Sequence, residues 1–183
     1  MQIRNSTDRY GGVAQFLHWL IVALLIVQVT TALLADDMPD GLAKLTMLAR
    51  HKSFGMTILG LALIRVLWRL VNPAPPLPVT LKPYERALAR VTHVLLYALL
   101  FAMPLSGWVM SVAHNYPVSW FHLFTWPNPV APDKQLAGIM EDVHTTLAYV
   151  LAATVTLHVV AAIKHHFVLR DDTLKRMLPF TRT

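Results

Sequence analysis

His144 and His158 lie fourteen residues apart within one long apolar run. At about 1.5 Å and about 100° per residue, that separation moves about 21 Å along a helix and returns to nearly the same face. One helix can therefore offer two imidazoles to the interior of a bundle, each near a different surface of a bilayer. An imidazole lone pair in hydrocarbon needs an occupant, and a metal ion is a good one. The spacing points to two metal centres stacked across a membrane, and haem is the metal group that two imidazoles suit.

Other histidines sort onto the same two levels. His18 stands about one turn into the first apolar run, and His51 just precedes the second. With His144 and His158 they supply one pair at each depth, and each pair offers the two axial nitrogens that a low-spin haem requires. His93, early in the third run, matches the depth of His18, so on geometry alone either could face His158. His165 shares the face of His158 but sits near the headgroups. His114, His122 and His166 read as interfacial side chains.

Four apolar runs must position these groups: about Val13 to Leu34, Phe54 to Val71, Leu88 to Val112, and Val143 to Val168. Each approaches the ~20 residues that cross about 30 Å of hydrocarbon as a helix. The expected fold is an all-α membrane protein, a single domain over residues 1–183 with four transmembrane helices and two haems in its interior. The mean hydropathy of +0.48 and the 14% of charged residues are too apolar for a soluble domain of this length. There are no cysteines, which excludes covalent haem attachment, cysteine-held clusters and disulfides. The first run exceeds the usual 7–15 residues of a secretory signal and carries His18 and Gln28, so it reads as an uncleaved membrane helix.

With four crossings, both termini share a side with the second connection. That side collects twelve of the sixteen lysines and arginines, among them Arg4, Arg9, Arg65, Arg69, Arg90 and Arg182. The other side has Lys44, Arg50, Lys52 and Lys134. The bias predicts cytoplasmic termini, and it accounts for the pI of about 9.9 without a nucleic acid. Residues Asn72–Pro83 contain five prolines and predict a stiff, extended connector. Pro104 predicts a kink in the third helix, and Gly107 room for a neighbour. The stretch Ala113–Glu141 holds Trp120, Phe121, Phe124 and Trp126 among prolines and predicts an interfacial lid. Arg65 and Arg69, four apart near the depth of His18, could pair with haem propionates; positive-inside anchoring is the competing reading.

Taken in order, the motifs resemble the bacterial cytochrome b561 family, and the cytochrome b subunits of formate dehydrogenases and nickel–iron hydrogenases. They run from Phe16-Leu17-His18-Trp19 through Arg50-His51-Lys52 before Gly55 to Arg65-Val66-Leu67-Trp68-Arg69-Leu70 ahead of Asn72-Pro73. Thr92-His93-Val94-Leu95-Leu96-Tyr97, His144 with His158, and His165-His166 with Asp171-Asp172-Thr173-Leu174-Lys175-Arg176-Met177-Leu178-Pro179 follow. The resemblance covers nearly the whole chain and implies a bacterial inner-membrane location. It implies two non-covalent b-type haems, an external one on His51 and His144 and a cytoplasmic one on His18 and His158. His93 then becomes a neighbouring or quinone-facing residue.

The same resemblance implies ubiquinone as substrate and superoxide as electron donor, which would make the chain a superoxide:ubiquinone oxidoreductase. Arg50 and Lys52, flanking His51, would steer the superoxide anion. Two alternatives stand beside this reading. One is an electron-transfer subunit serving a periplasmic dehydrogenase or another external redox protein. The other is a metal-binding transporter or structural membrane anchor. Oligomeric state is not legible in the sequence.

Overall fold

The computed structural model describes residues 2–77 and 81–179. Four helices carry the fold: α1 (Gly12–Asp36), α2 (Leu42–Val71), α3 (Pro83–Ala113) and α4 (Lys134–Lys164). All four are long and apolar enough to cross a membrane. The expected all-α, four-helix architecture is what the chain adopts. Pro78 of the proline-rich connector and Arg182 of the basic tail lie outside the described residues.

Three helices start earlier than their apolar runs. α2 begins at Leu42 rather than near Phe54, so His51 lies nine residues inside the helix instead of at its start. α4 begins at Lys134, and His144 is likewise ten residues in. The physical reason is that helix propensity and capping carry a helix beyond the hydrocarbon. Asp133 caps α4 through Oδ1, which accepts from the Gln135 and Leu136 amides at 2.8 and 3.0 Å. Glu85 turns back to the Lys82 amide at 3.1 Å and closes the first turn of α3.

The helices pack in chain order: α1 on α2, α2 on α3, α3 on α4. No Cα of α4 lies within 8 Å of α1 or α2 among the described residues. Only Ala137 and Thr154 of α4 are buried, as befits a helix that leans on one neighbour. The bundle is therefore open along the side where α4 faces α1 and α2. Its packed centre is small: Ile21, Ile58, Ala62 and Leu100, with Leu24, Leu25, Leu61 and Phe101 against them.

The stretch after α3 folds back as a lid. Two short antiparallel strands, β1 (Ser119–Trp120) and β2 (Phe124–Thr125), form a hairpin that rests on α2. Buried Ser53 pins it: Ser53 Oγ lies 3.1 Å from the Ser119 carbonyl and accepts the Phe121 amide at 3.0 Å. One turn on, Thr57 Oγ1 accepts the Trp120 indole N–H at 3.0 Å. The hairpin thus lies against the middle of α2, near Ser53 and Thr57. The last residues expected in the lid, 134–141, belong to α4 instead.

Beyond α4 the chain makes one π-helical turn, His165–Leu169, which Arg170 ends in the left-handed region at φ 54°. It then crosses to the start of α1, so residues 176–178 meet residues 10–19 at one end of the bundle.

Candidate metal centres

The ring of His51 on α2 faces the ring of His144 on α4 with centres 6.4 Å apart and planes at 78°. The ring of His18 on α1 faces His158 on α4 at 6.3 Å and 77°. Both pairs span the open side of the bundle, where the backbones stand apart. The two pairs are nearly copies of each other, although they draw on different helices.

That distance has a chemical meaning. With metal–nitrogen bonds of about 2.0 Å and a ring nitrogen about 1.1 Å from its ring centre, two imidazoles holding one metal between them would have centres about 6.2 Å apart. Among the described residues no three His, Asp or Glu side chains converge to hold a metal ion. A metal between these rings must bring its own equatorial ligands, and a porphyrin does so. The backbones of α1 and α2 make no close approach to α4, and imidazole pairs at 6.3 and 6.4 Å across that separation fit haem.

Hydrogen bonding prepares the nitrogens. His51 Nδ1 donates to the Gln28 carbonyl at 3.2 Å, with Thr31 Oγ1 at 3.4 Å. Ser106 Oγ spends its proton on the Met103 carbonyl, so it accepts from His144 Nδ1 at 3.0 Å. Both rings then turn Nε2 toward ligation, the usual arrangement when an outer partner fixes the tautomer. Gln28 also donates from its side-chain Nε2 to His51 Nε2 at 3.0 Å, a bond this nitrogen would exchange for one to a metal; Gly55 leaves the amide room, since a Cβ there would lie 3.2 Å away. His18 and His158 have no hydrogen-bond partner among the described residues.

His93 approaches His158 more closely than His18 does, at 5.4 Å, and donates through Nδ1 to the Ala89 carbonyl at 2.7 Å. The 5.4 Å separation is shorter than two axial bonds allow, whereas 6.3 Å matches them. Arg65 lies among these rings. Its Nε donates to Tyr97 Oη at 3.2 Å and its Nη1 to the Ala14 carbonyl at 2.9 Å, one turn before His18. Arg69 stands 5.9 Å from the centre of the Tyr97 ring. Arg65 thereby links α2 to α1 and α3 at the level of His18.

At the lid end, Arg50 is exposed while Lys52 turns inward. Lys52 Nζ donates to Ser111 Oγ at 3.2 Å and lies 5.8 Å from the Tyr116 ring centre. His165 pairs with Asp171 at 2.6 Å, and His114 with Glu141 at 3.7 Å. Sequence reasoning missed Ser106, Ser53, Gln15 and the partnership of Gln28 with His51. Gln15 and Gln28 carried a signal, as amides inside an apolar run.

Four membrane-length helices with opposed imidazole pairs define a multi-pass membrane cytochrome. The chain matches the prokaryotic cytochrome b561 family over residues 9–180 and belongs to it, and with that family comes b-type haem. It is 37% identical to "Cytochrome b561 homolog 2" of Escherichia coli (strain K12), over 97% of this chain and 95% of that protein. It is 31% identical to "Probable superoxide oxidase CybB" of Yersinia pestis, over 95% of this chain and 98% of the other. "Cytochrome b561 homolog 1" of Escherichia coli (strain K12) is 26% identical over 94% of this chain and 98% of that protein.

Proposed function

We propose that the chain holds two haems, one between His51 and His144 and one between His18 and His158, and moves electrons from superoxide to ubiquinone. The observation that carries the reading is the repeated pair geometry, 6.4 Å at 78° and 6.3 Å at 77°. The likeness to a probable superoxide oxidase supports the donor. When bound, the haems supply one-electron transfer at each level of the membrane. In balance, two superoxide anions become two oxygen molecules, and one ubiquinone takes two electrons and two protons to become ubiquinol.

The protein's own part is ligation, spacing and charge. His51 and His144 present Nε2 because the Gln28 carbonyl and Ser106 occupy Nδ1. Arg65 and Arg69 put positive charge beside the His18 level, where propionates would need partners. His93 stands next to that level and is the candidate to meet a quinone. At the lid end, Arg50 offers the exposed cation that an approaching anion would meet, while Lys52 is held by Ser111 and supports the wall. The twelve-to-four distribution of cations supports an inner-membrane placement with cytoplasmic termini, the lid facing outward.

The deciding experiment is gentle purification, a haem:protein ratio, and anaerobic titration with superoxide and ubiquinone. Two haems per chain, reduced by superoxide and reoxidised by ubiquinone, meet the proposal. Absence of a b-type spectrum would leave a structural anchor or transporter. Neutralising Arg50 should slow reduction by superoxide and weaken its salt dependence, because the steering field is screened over about 8 Å at physiological ionic strength. An unchanged and slow superoxide rate would favour the second reading, an external redox protein. The hairpin supports that reading, since it exposes Leu123 and Phe124 at its tip (73% and 47%).

A further inference from the structure

The segment after α4 makes contacts that the electron-transfer reading does not use. Asp171 takes His165 Nδ1 on Oδ2 at 2.6 Å and the Thr173 amide on Oδ1 at 2.9 Å, fixing the turn that leaves the helix. The chain then lies across α1 and is held by its carbonyls. The Arg176 carbonyl accepts from Gln15 Nε2 at 3.2 Å and from the Tyr10 amide at 3.3 Å. The Met177 carbonyl accepts the Trp19 indole N–H at 3.0 Å. The Leu178 carbonyl accepts from Arg9 at 2.7 Å and from Gln15 at 3.3 Å. Arg176 itself reaches the Pro76 carbonyl at 3.0 Å, so the connector after α2 is tied in as well.

Two facts give this crossing its meaning. First, α4 has no backbone approach to α1 within 8 Å, so helix packing does not set their separation. Second, Gln15 and Trp19 flank His18 on α1, and Gln15 is buried at 2% exposure. The carbonyls of residues 176–178 are thus fastened to the turn of α1 that presents His18, while their other end continues from the helix that presents His158. A buried amide that loses its acceptors is left without hydrogen bonds in an apolar setting, so the attachment is not easily shed.

We infer that Asp171–Leu178 is a strap that sets the spacing of His18 and His158 and closes the terminal end of the gap between α1 and α4. Gln15 and Trp19 are positioning residues that act through this strap. The inference rests on the proposal that these two histidines share a haem, but its first test does not. The chain has no cysteine, so nitroxide labels can be placed cleanly at Phe16→Cys on α1 and Ile163→Cys on α4, both exposed. Their separation is measured by pulsed electron resonance with the strap attached and in Gln15→Leu/Trp19→Phe, which removes its donors from α1. The milder Trp19→Phe alone serves if the double variant does not fold.

The expected result is a longer and broader label distance. In the same samples the low-spin signal of the haem at His18 and His158 should shift or be lost, while the signal at His51 and His144 stays. An unchanged distance distribution overturns the strap. A changed distance with both haem signals unaltered overturns its role in ligand spacing. If the parent protein binds no haem at that level, the two-haem proposal fails, and the label distance still decides whether the strap holds α1 to α4.

Discussion

Gly107 on α3 leaves the space that the ring of His144 on α4 occupies. A Cβ at position 107 would lie 2.9 Å from His144 Cε1 and 3.2 Å from its Nδ1. The neighbouring Ser106 holds that same Nδ1, so one turn of α3 both admits the ring and orients it. Gly107→Ala should push His144 off its axis, because a tightly placed ring resists added volume at a cost of about 1–3 kcal/mol. Haem at the lid end should bind about 10- to 100-fold more weakly, with the other haem retained; titration of the apoprotein with haemin measures it.

Replacing the proposed ligands should separate the two sites. His51→Ala should lower the haem content from two to one per chain, losing the lid-end haem. His18→Ala should do the same at the terminal end. His144→Ala and His158→Ala, on one helix, should each lose a different haem. His93→Ala should keep both, since its 5.4 Å approach to His158 is too short for a shared metal. The pyridine haemochrome assay gives the ratio, and loss of one haem in His93→Ala would move the ligand from α1 to α3.

Ring orientation makes a spectroscopic prediction. Axial imidazoles near parallel give an ordinary rhombic low-spin ferric signal, whereas near-perpendicular ones give a strongly anisotropic one. With interplanar angles of 77° and 78°, both haems should fall in the second class. A rhombic signal from either site in frozen oxidised protein would show that haem binding rotates a ring.

Arg65 bridges Ala14, one turn from His18, and Tyr97, one turn from His93. Arg65→Leu removes a positive charge from the His18 level and leaves the Tyr97 hydroxyl without its donor. The terminal-end haem should become harder to reduce, and its midpoint potential in a redox titration should fall. The lid-end haem should keep its potential. Equal potentials in parent and variant would return Arg65 to topology and packing.

Asp171 lies outside the membrane-length helices and controls the start of the strap. Burial pushes its carboxyl up, but hydrogen bonds from Thr173 and His165 outweigh this and hold it below the usual carboxylate range. A depressed carboxyl stabilises the folded state above its ordinary pKa, and that stability is lost as pH falls through the folded value. Asp171→Asn should therefore lower the melting temperature at neutral pH, and the difference from the parent should shrink on acidification. A gap that stays constant down to pH values below the ordinary carboxylate range would show that the carboxylate charge plays no part.

Depth was legible in the sequence, and pairing was not. Hydropathy runs and the fourteen-residue spacing of His144 and His158 determine four crossings and two levels, because position along a helix is proportional to position in the chain. The same reading left His18 and His93 level with each other. It started α2 and α4 too late, because a stop in hydrophobicity is not a stop in helix: Asp133 caps α4 eleven residues before His144. Only the tertiary structure decided that α4 stands clear of α1 and α2, that Ser53 and Thr57 pin the lid, and that residues 176–178 return to Gln15 and Trp19. Those are contacts between residues up to 163 positions apart, made by single polar groups whose partners leave no local periodicity. Local pattern sets where each imidazole lies along its helix; long-range packing sets which imidazole it meets.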